Sequence, residues 1–143
     1  MSFGAPVSLT GMTDTTVSNI GVAMFTVSDQ DAALAFYRDK LGYEVRADVR
    51  FGENDAMRWL EVAPPSSSAR LALNSPMNDS PGGSSIGVET KDLAALKVRL
   101  QDSGNPTSSK YHEVPGGVVL DFSDPDGNPL QAIQLGAQMS DFS

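Results

Sequence analysis

Val27-Ser28-Asp29, continuing through Ala35-Phe36-Tyr37-Arg38-Asp39-Lys40-Leu41-Gly42-Tyr43, decides the fold, because a weaker copy returns at Thr90-Lys91-Asp92 through Leu100-Gln101-Asp102-Ser103-Gly104. Ser28 or Asp29 can cap a helix by accepting from the free amides of its first turn. Behind that cap, Ala33, Phe36, Tyr37 and Leu41 share one helical face, and Gly42 supplies a left-handed stop. In the copy, Leu93, Leu96 and Leu100 form the apolar face and Gly104 the stop. Asp92 lies 63 positions after Asp29, and Gly104 lies 62 after Gly42. So constant an offset across cap and stop marks an internal repeat, although identity between the copies is low. A doubled strand-to-helix unit predicts concave sheets able to hold a small molecule.

Working outward, each helix is flanked by strand patterns. In Ile20 to Val27 the side chains of Ala23, Phe25 and Val27 alternate with those of Val22, Met24 and Thr26. Both sets are largely apolar, which predicts a strand covered on both sides. Tyr43, Val45, Ala47 and Val49 alternate with Glu44, Arg46, Asp48 and Arg50, the pattern of a half-exposed strand. Met57 to Ala63 and Ala69 to Asn74 follow, joined by Pro64-Pro65-Ser66-Ser67-Ser68. Residues 75–84, with Pro76, Pro81, Gly82 and Gly83, read as a crossover. The second unit then places a strand at Ser85 to Thr90 and a helix at Asp92 to Ser103. Its further strands fall near Thr107 to Glu113, at Val118 to Phe122 and at Pro129 to Gln134. The turn Asp124-Pro125-Asp126-Gly127-Asn128 joins the last two, with Gly127 supplying positive φ and Asn128 local hydrogen bonds. The expected fold is α+β, two tandem βαβββ modules forming curved mixed sheets around a cavity. Residues 1–18 read as a flexible leader and 19–135 as one domain, with modules at about 19–74 and 85–135; 136–143 form a tail.

Composition excludes several functions. A chain of 143 residues, 40% of them hydrophobic, suits one domain with a modest core. Ten basic against 18 acidic residues give a net charge of -8, without the basic stripe that nucleic acid requires. There is no Cys, which removes disulfides, thiol nucleophiles and thiolate metal ligands and points to a cytoplasmic protein. No apolar run approaches the roughly 18 residues of a membrane helix, and the first residues lack a secretory pattern.

The run from Val27 to Tyr43 and the Asp124-Pro125-Asp126-Gly127-Asn128 turn resemble the vicinal oxygen chelate superfamily of glyoxalase I, bleomycin-resistance proteins and extradiol dioxygenases. The resemblance spans about residues 19–135 and is specific for the fold rather than for a reaction. It implies paired modules curling around a cavity, and a homodimer with cavities between modules. It also implies four metal-ligand places, which in this chain fall on Val22, Ala72, Ser85 and Gln131. Val and Ala offer no donor, and Ser and Gln are poor neutral ligands for divalent ions, so neither a metal nor another cofactor is expected.

The cavity face then reads as a binding surface. Taking Val22 and Ala72 as inward brings Met24, Thr26, Arg70 and Asn74 to the same side. With Leu60 and Val62 packed on a helix, Met57, Trp59 and Glu61 face in as well. Module symmetry adds Ser85, Gly87, Glu89, Val119, Asp121, Gln131 and Ile133. The candidate ligand contacts among these are Met24, Met57, Trp59, Glu61, Arg70, Asn74, Asp121 and Gln131. Trp59, the sole Trp, either stacks on a planar ligand or fills the concave core. Arg70 either clamps an anion or pairs with Glu61 or Asp121 inside the sheet. Met24 and Met57 serve as plain core or as adaptable lining. The lone His112, beside Pro115-Gly116-Gly117, reads as an exposed polar residue rather than as a base. The leading expectation is a metal-free protein of the bleomycin-resistance type that binds or sequesters a small hydrophobic or aromatic ligand. Two alternatives stand beside it. One is a glyoxalase-like lyase or isomerase using Glu61, Glu89 or Asp121 as general base; the other is a structural module with a vestigial cavity.

Overall fold

The two helix starts are built alike: Asp29 accepts the amide of Ala32 at 3.0 Å, and Asp92 accepts that of Ala95 at 3.0 Å. The repeat in sequence is therefore a repeat of cap chemistry. The computed structural model describes residues 16–76, 80–102 and 110–142. In the first module, β1 (Val22–Thr26) leads to α1 (Gln30–Ala35), which continues as a π-helical turn over Phe36–Lys40. β2 (Glu44–Phe51), β3 (Met57–Ala63) and β4 (Arg70–Asn74) complete it. The second module comprises β5 (Ile86–Glu89), α2 (Leu93–Asp102), β6 (His112–Val114), β7 (Gly117–Ser123) and β8 (Pro129–Leu135). The Gly104 stop and the predicted strand residues 107–109 lie outside the described residues.

Each module is a four-stranded mixed sheet, ordered β1-β4-β3-β2 and β5-β8-β7-β6, and neither closes into a barrel. β1 runs parallel to β4 and β5 to β8, because α1 and α2 carry the chain away before β2 and β6; the other pairs are antiparallel. Helix ends follow local chemistry. Gly42, at φ 78°, lets the Tyr43 amide reach the carbonyl of Tyr37 at 2.9 Å and close the helix. The π turn, marked by the Leu41 amide on the Phe36 carbonyl at 3.2 Å, was not legible in the periodicity.

One apolar core joins the modules. It takes Leu60, Val62, Leu71 and Leu73 from the first sheet, Val118, Leu120, Leu130 and Ala132 from the second, and Phe36, Tyr37, Leu93 and Leu100 from the helical segments. The Asp124 turn closes over this core as a clasp. Asp124, only 2% exposed, accepts from the Tyr37 hydroxyl at 3.1 Å and from the backbone and side-chain nitrogens of Asn128 at 2.8 and 2.9 Å. Asn128 in turn donates to the Thr26 carbonyl at 3.1 Å, so a turn of the second module is tied to the first strand and helix. Beyond β8, Phe142 stacks on Tyr111 with ring centroids 4.5 Å apart.

Two strand expectations need correction. β1 is covered on one side only within the chain: Phe25 and Val27 are buried, whereas Met24 is 56% exposed. β2 is an edge strand, and its alternation breaks at a bulge between Val45 and Ala47 that turns Val45 opposite Val62. Val45, Val49 and Phe51 consequently stay exposed. Arg46 is half-buried instead, because it donates to the carbonyls of Pro64 and Ser67 at 2.9 Å and pins the Pro-Pro loop.

Burial makes the fold sensitive to alkali. Desolvation, reinforced by the neighbouring Asp124, raises the Tyr37 phenol far above its ordinary range, and desolvation pushes Tyr43 up to about 12. Both phenols stay neutral when folded yet ionise near pH 10 when unfolded, so their stabilisation is complete below pH 10 and declines as pH rises. The expected slope is about 1.4 kcal/mol per pH unit for each tyrosine above pH 10, up to pH 12 for Tyr43. Urea unfolding compared at pH 8 and pH 11 measures it, and Tyr37→Phe should reduce the slope by about half. An unchanged midpoint in the native chain would contradict the assignment.

Candidate ligand-binding site

Strand register decides which side chains share a face, since residues directly opposite on neighbouring strands project to the same side. In the first sheet Met24 lies opposite Ala72 and Ala72 opposite Glu61. Val22 pairs with Arg70 and Thr26 with Asn74, while Trp59 faces Val49 and Met57 faces Phe51. The candidates Met24, Met57, Trp59, Glu61, Arg70 and Asn74 therefore occupy one face, opposite the one that sends Leu60, Val62, Leu71 and Leu73 into the core. Val49 and Phe51, 54% and 43% exposed, belong to this face too. Sequence reasoning missed them as lining: the bulge hides the phase of β2, and Phe51 lies beyond the predicted alternation.

A polar group stands at the centre of this apolar surface. Glu61 is 8% exposed and accepts the Trp59 indole Nε1–H at 2.8 Å on Oε2. Its Oε1 lies 3.3 Å from Arg70 Nε, which is one of the two roles read for Arg70 from the sequence. The buried carboxylate thus fixes the plane of a half-buried indole and ties down one edge of a guanidinium whose side chain is 43% exposed. A rigid aromatic plate beside a cation, amid thioethers and valine, is suited to a flat, largely apolar molecule.

The second sheet repeats the layout with other chemistry. Gly87, Gln131 and Asp121 lie side by side, as do Glu89, Ile133, Val119 and His112. Gln131 Nε2 donates to Asp121 Oδ1 at 3.3 Å, and His112 Nε2 lies 3.5 Å from Asp121 Oδ2. His112 is about half exposed, as expected, but it has an acidic partner on the neighbouring strand. Ser85, Gly87, Asp121, Pro129 and Gln131 border a depression of about 380 Å³. The first-sheet candidates do not line that depression: Asp121 and Gln131 border it, and the other six lie on the first sheet.

The four places at which the resemblance implies metal ligands do not suit an ion. Val22 and Ala72 carry no donor atom, and the Gln131 amide is engaged with Asp121. Among the described residues no three His, Cys, Asp or Glu side chains come together as a metal-binding group. Nor does any described helix have the length and apolarity to cross a membrane.

A family model described as the glyoxalase/bleomycin resistance protein/dioxygenase superfamily matches residues 19–132. The chain is similar to YetH of Bacillus subtilis (strain 168), with 29% identity over 116 residues covering 78% of this chain and 94% of that protein. Among solved structures it is similar to TnmS3, an antibiotic binding protein from Streptomyces sp. CB03234. That likeness has a TM-score of 0.77 and 30% identity, covering 86% of this chain and 100% of the other. It is also similar to a superfamily member from Sphaerobacter thermophilus DSM 20745, at a TM-score of 0.74 and 30% identity, covering 85% and 98% of the two chains.

Proposed function

Because the chain belongs to the glyoxalase/bleomycin resistance protein/dioxygenase superfamily, we propose that it is a metal-free, cytoplasmic homodimer that binds and sequesters a small hydrophobic or aromatic molecule. The observation that carries this reading is the Trp59 indole held by buried Glu61 on an open, mostly apolar sheet face. The antibiotic-binding description of a structural neighbour at 30% identity supports binding as the shared activity. A lyase or isomerase would need a carboxylate ready to take a proton. Both oxygens of Glu61 already face Trp59 and Arg70, and those of Asp121 face Gln131 and His112, which leaves Glu89, exposed on β5, to carry that reading. Met24, Met57, Trp59, Glu61, Arg70 and Asn74 form the main contact surface in this reading, with Asp121 and Gln131 on the second face.

The same geometry supports the dimer. The single core consumes the helix side of both sheets, leaving Met24, Val49, Phe51 and Leu135 exposed on the opposite faces. Solvent-facing apolar sheet surfaces and open strand edges are liabilities unless another chain covers them. Native mass spectrometry should report the mass of two chains without bound metal. A monomer, or about one zinc, nickel, iron or manganese per chain, would refute the corresponding part of the proposal.

Binding is tested with 2-(hydroxymethyl)anthraquinone, a planar neutral probe. It should quench the single Trp saturably, and calorimetry should show Trp59→Ala weakening it by roughly 2- to 12-fold, the worth of one aromatic contact. Unchanged affinity and stability in Trp59→Ala would remove Trp59 from the site.

A further inference from the structure

The guanidinium of Arg70 has a second neighbourhood, away from Glu61. Arg70 opens β4 beside the segment that precedes β1, and its amide donates to the Gly21 carbonyl at 3.1 Å. A Cβ built on Gly21 would stand 3.4 Å from Arg70 Nη2 and 3.8 Å from Asn19 Nδ2. Two nitrogen donors thus converge on a point that is open only because residue 21 has no side chain. Asn19 is turned for this role: the Ser18 hydroxyl donates to its Oδ1 at 3.0 Å, which leaves the amide nitrogen toward Gly21. Among the described residues Glu61 is the ion-pair partner of Arg70, with its Oε1 3.3 Å from Nε.

We propose that the ligand of this face is a planar aromatic molecule bearing one ionised oxygen group, carboxylate or phenolate, which sits over Gly21 on Arg70 Nη2 and Asn19 Nδ2. The assignment rests on the binding function proposed above and adds the chemical class that the site selects. Hydrogen bonding wants about 2.9 Å between donor and acceptor, so an oxygen accepting from these nitrogens must lie nearer to them than the missing Cβ would. The chain's charge of -8 works against anions at a distance. At physiological salt that field is screened beyond about 8 Å, and contact with the guanidinium decides. Glu61 offsets part of the arginine charge, which suits a singly charged group better than a phosphate dianion.

The test compares anthraquinone-2-carboxylate with the neutral 2-(hydroxymethyl)anthraquinone by calorimetry at about 0.15 M salt. The native chain should prefer the carboxylate by about tenfold, the scale of one charge-assisted contact. Gly21→Ala fills the seat with a methyl while keeping Arg70. Its backbone lies outside the left-handed region, so alanine fits the chain path there. That substitution should reduce the preference to less than about threefold, and Arg70→Gln should abolish it. Equal affinities in the native chain, or a preference that survives both substitutions, would overturn the anion seat while leaving the binding function intact. If Arg70→Gln weakens both probes equally, Arg70 serves only to hold Glu61 and the seat is wrong. Failure of both probes to bind would refute the binding function and the seat together.

Discussion

Asp124→Ala lowers the unfolding free energy by on the order of 3 kcal/mol, because it strands buried partners rather than merely removing a bond. The Tyr37 hydroxyl loses its acceptor, and Asn128, which is fully buried, loses the carboxylate that receives both its amide and its side-chain nitrogen. No buried side-chain nitrogen or oxygen among the described residues lacks a partner, so nothing nearby stands ready to compensate. For a domain of this size the melting temperature should fall by about 10 °C. Asp126→Ala is the control. Asp126, in the same turn, accepts from Ser28, but it is half-buried and these bonds are exposed to solvent, so its loss should cost less than about 1 kcal/mol. Equal urea midpoints for the two variants would show that stranding the buried partners of Asp124 costs no more than losing an exposed contact.

Gly117→Ala is expected to cost about 2 to 3 kcal/mol, more than the neighbouring Gly116→Ala. A Cβ on Gly117 would collide with the carbonyl oxygen of Gln134 and stand 3.0 Å from its carbon, and backbone paired across β7 and β8 cannot step aside. Gly116 has the more unusual conformation, at φ 93°, but nothing lies within 4 Å of its missing side chain. Its substitution costs only conformational strain, about 1 to 2 kcal/mol. The comparison separates steric contact from backbone preference, and differential scanning calorimetry of the two variants reads it. A greater loss at Gly116 would reverse the ranking. The strand at stake carries Val119 and Asp121, so slippage at Gly117 would also disturb the second face.

Period-two alternation was sufficient to phase β1, β3 and β4. Once Leu60 and Val62 go to the helix side, Trp59 and Glu61 must go to the other, and cross-strand register keeps that choice consistent through Ala72 to Met24. The doubled helix caps were equally readable, because Asp29 and Asp92 act on amides three residues ahead and need no distant partner. The same local logic failed at β2, where the bulge interrupts the count, and at Phe36–Lys40, where a π turn replaces the α-helical one. Neither has a residue-type signature. The pairing of His112 with Asp121 was hidden for another reason: the two lie on different strands and meet only through the β6–β7 ladder.

By itself the sequence determined the module, its duplication, the helix caps, the Gly42 stop, and which residues of the well-phased strands share a face, since all of these depend on short-range periodicity and single-residue chemistry. Tertiary structure decided what those faces see. It sent the helix side of both sheets into one core, left the opposite faces open, tied the modules at Asp124, and set Arg70 between Glu61 and the empty space over Gly21. Such outcomes depend on which surfaces meet across tens of residues of chain, and a residue's own identity carries no record of the partner it will find there.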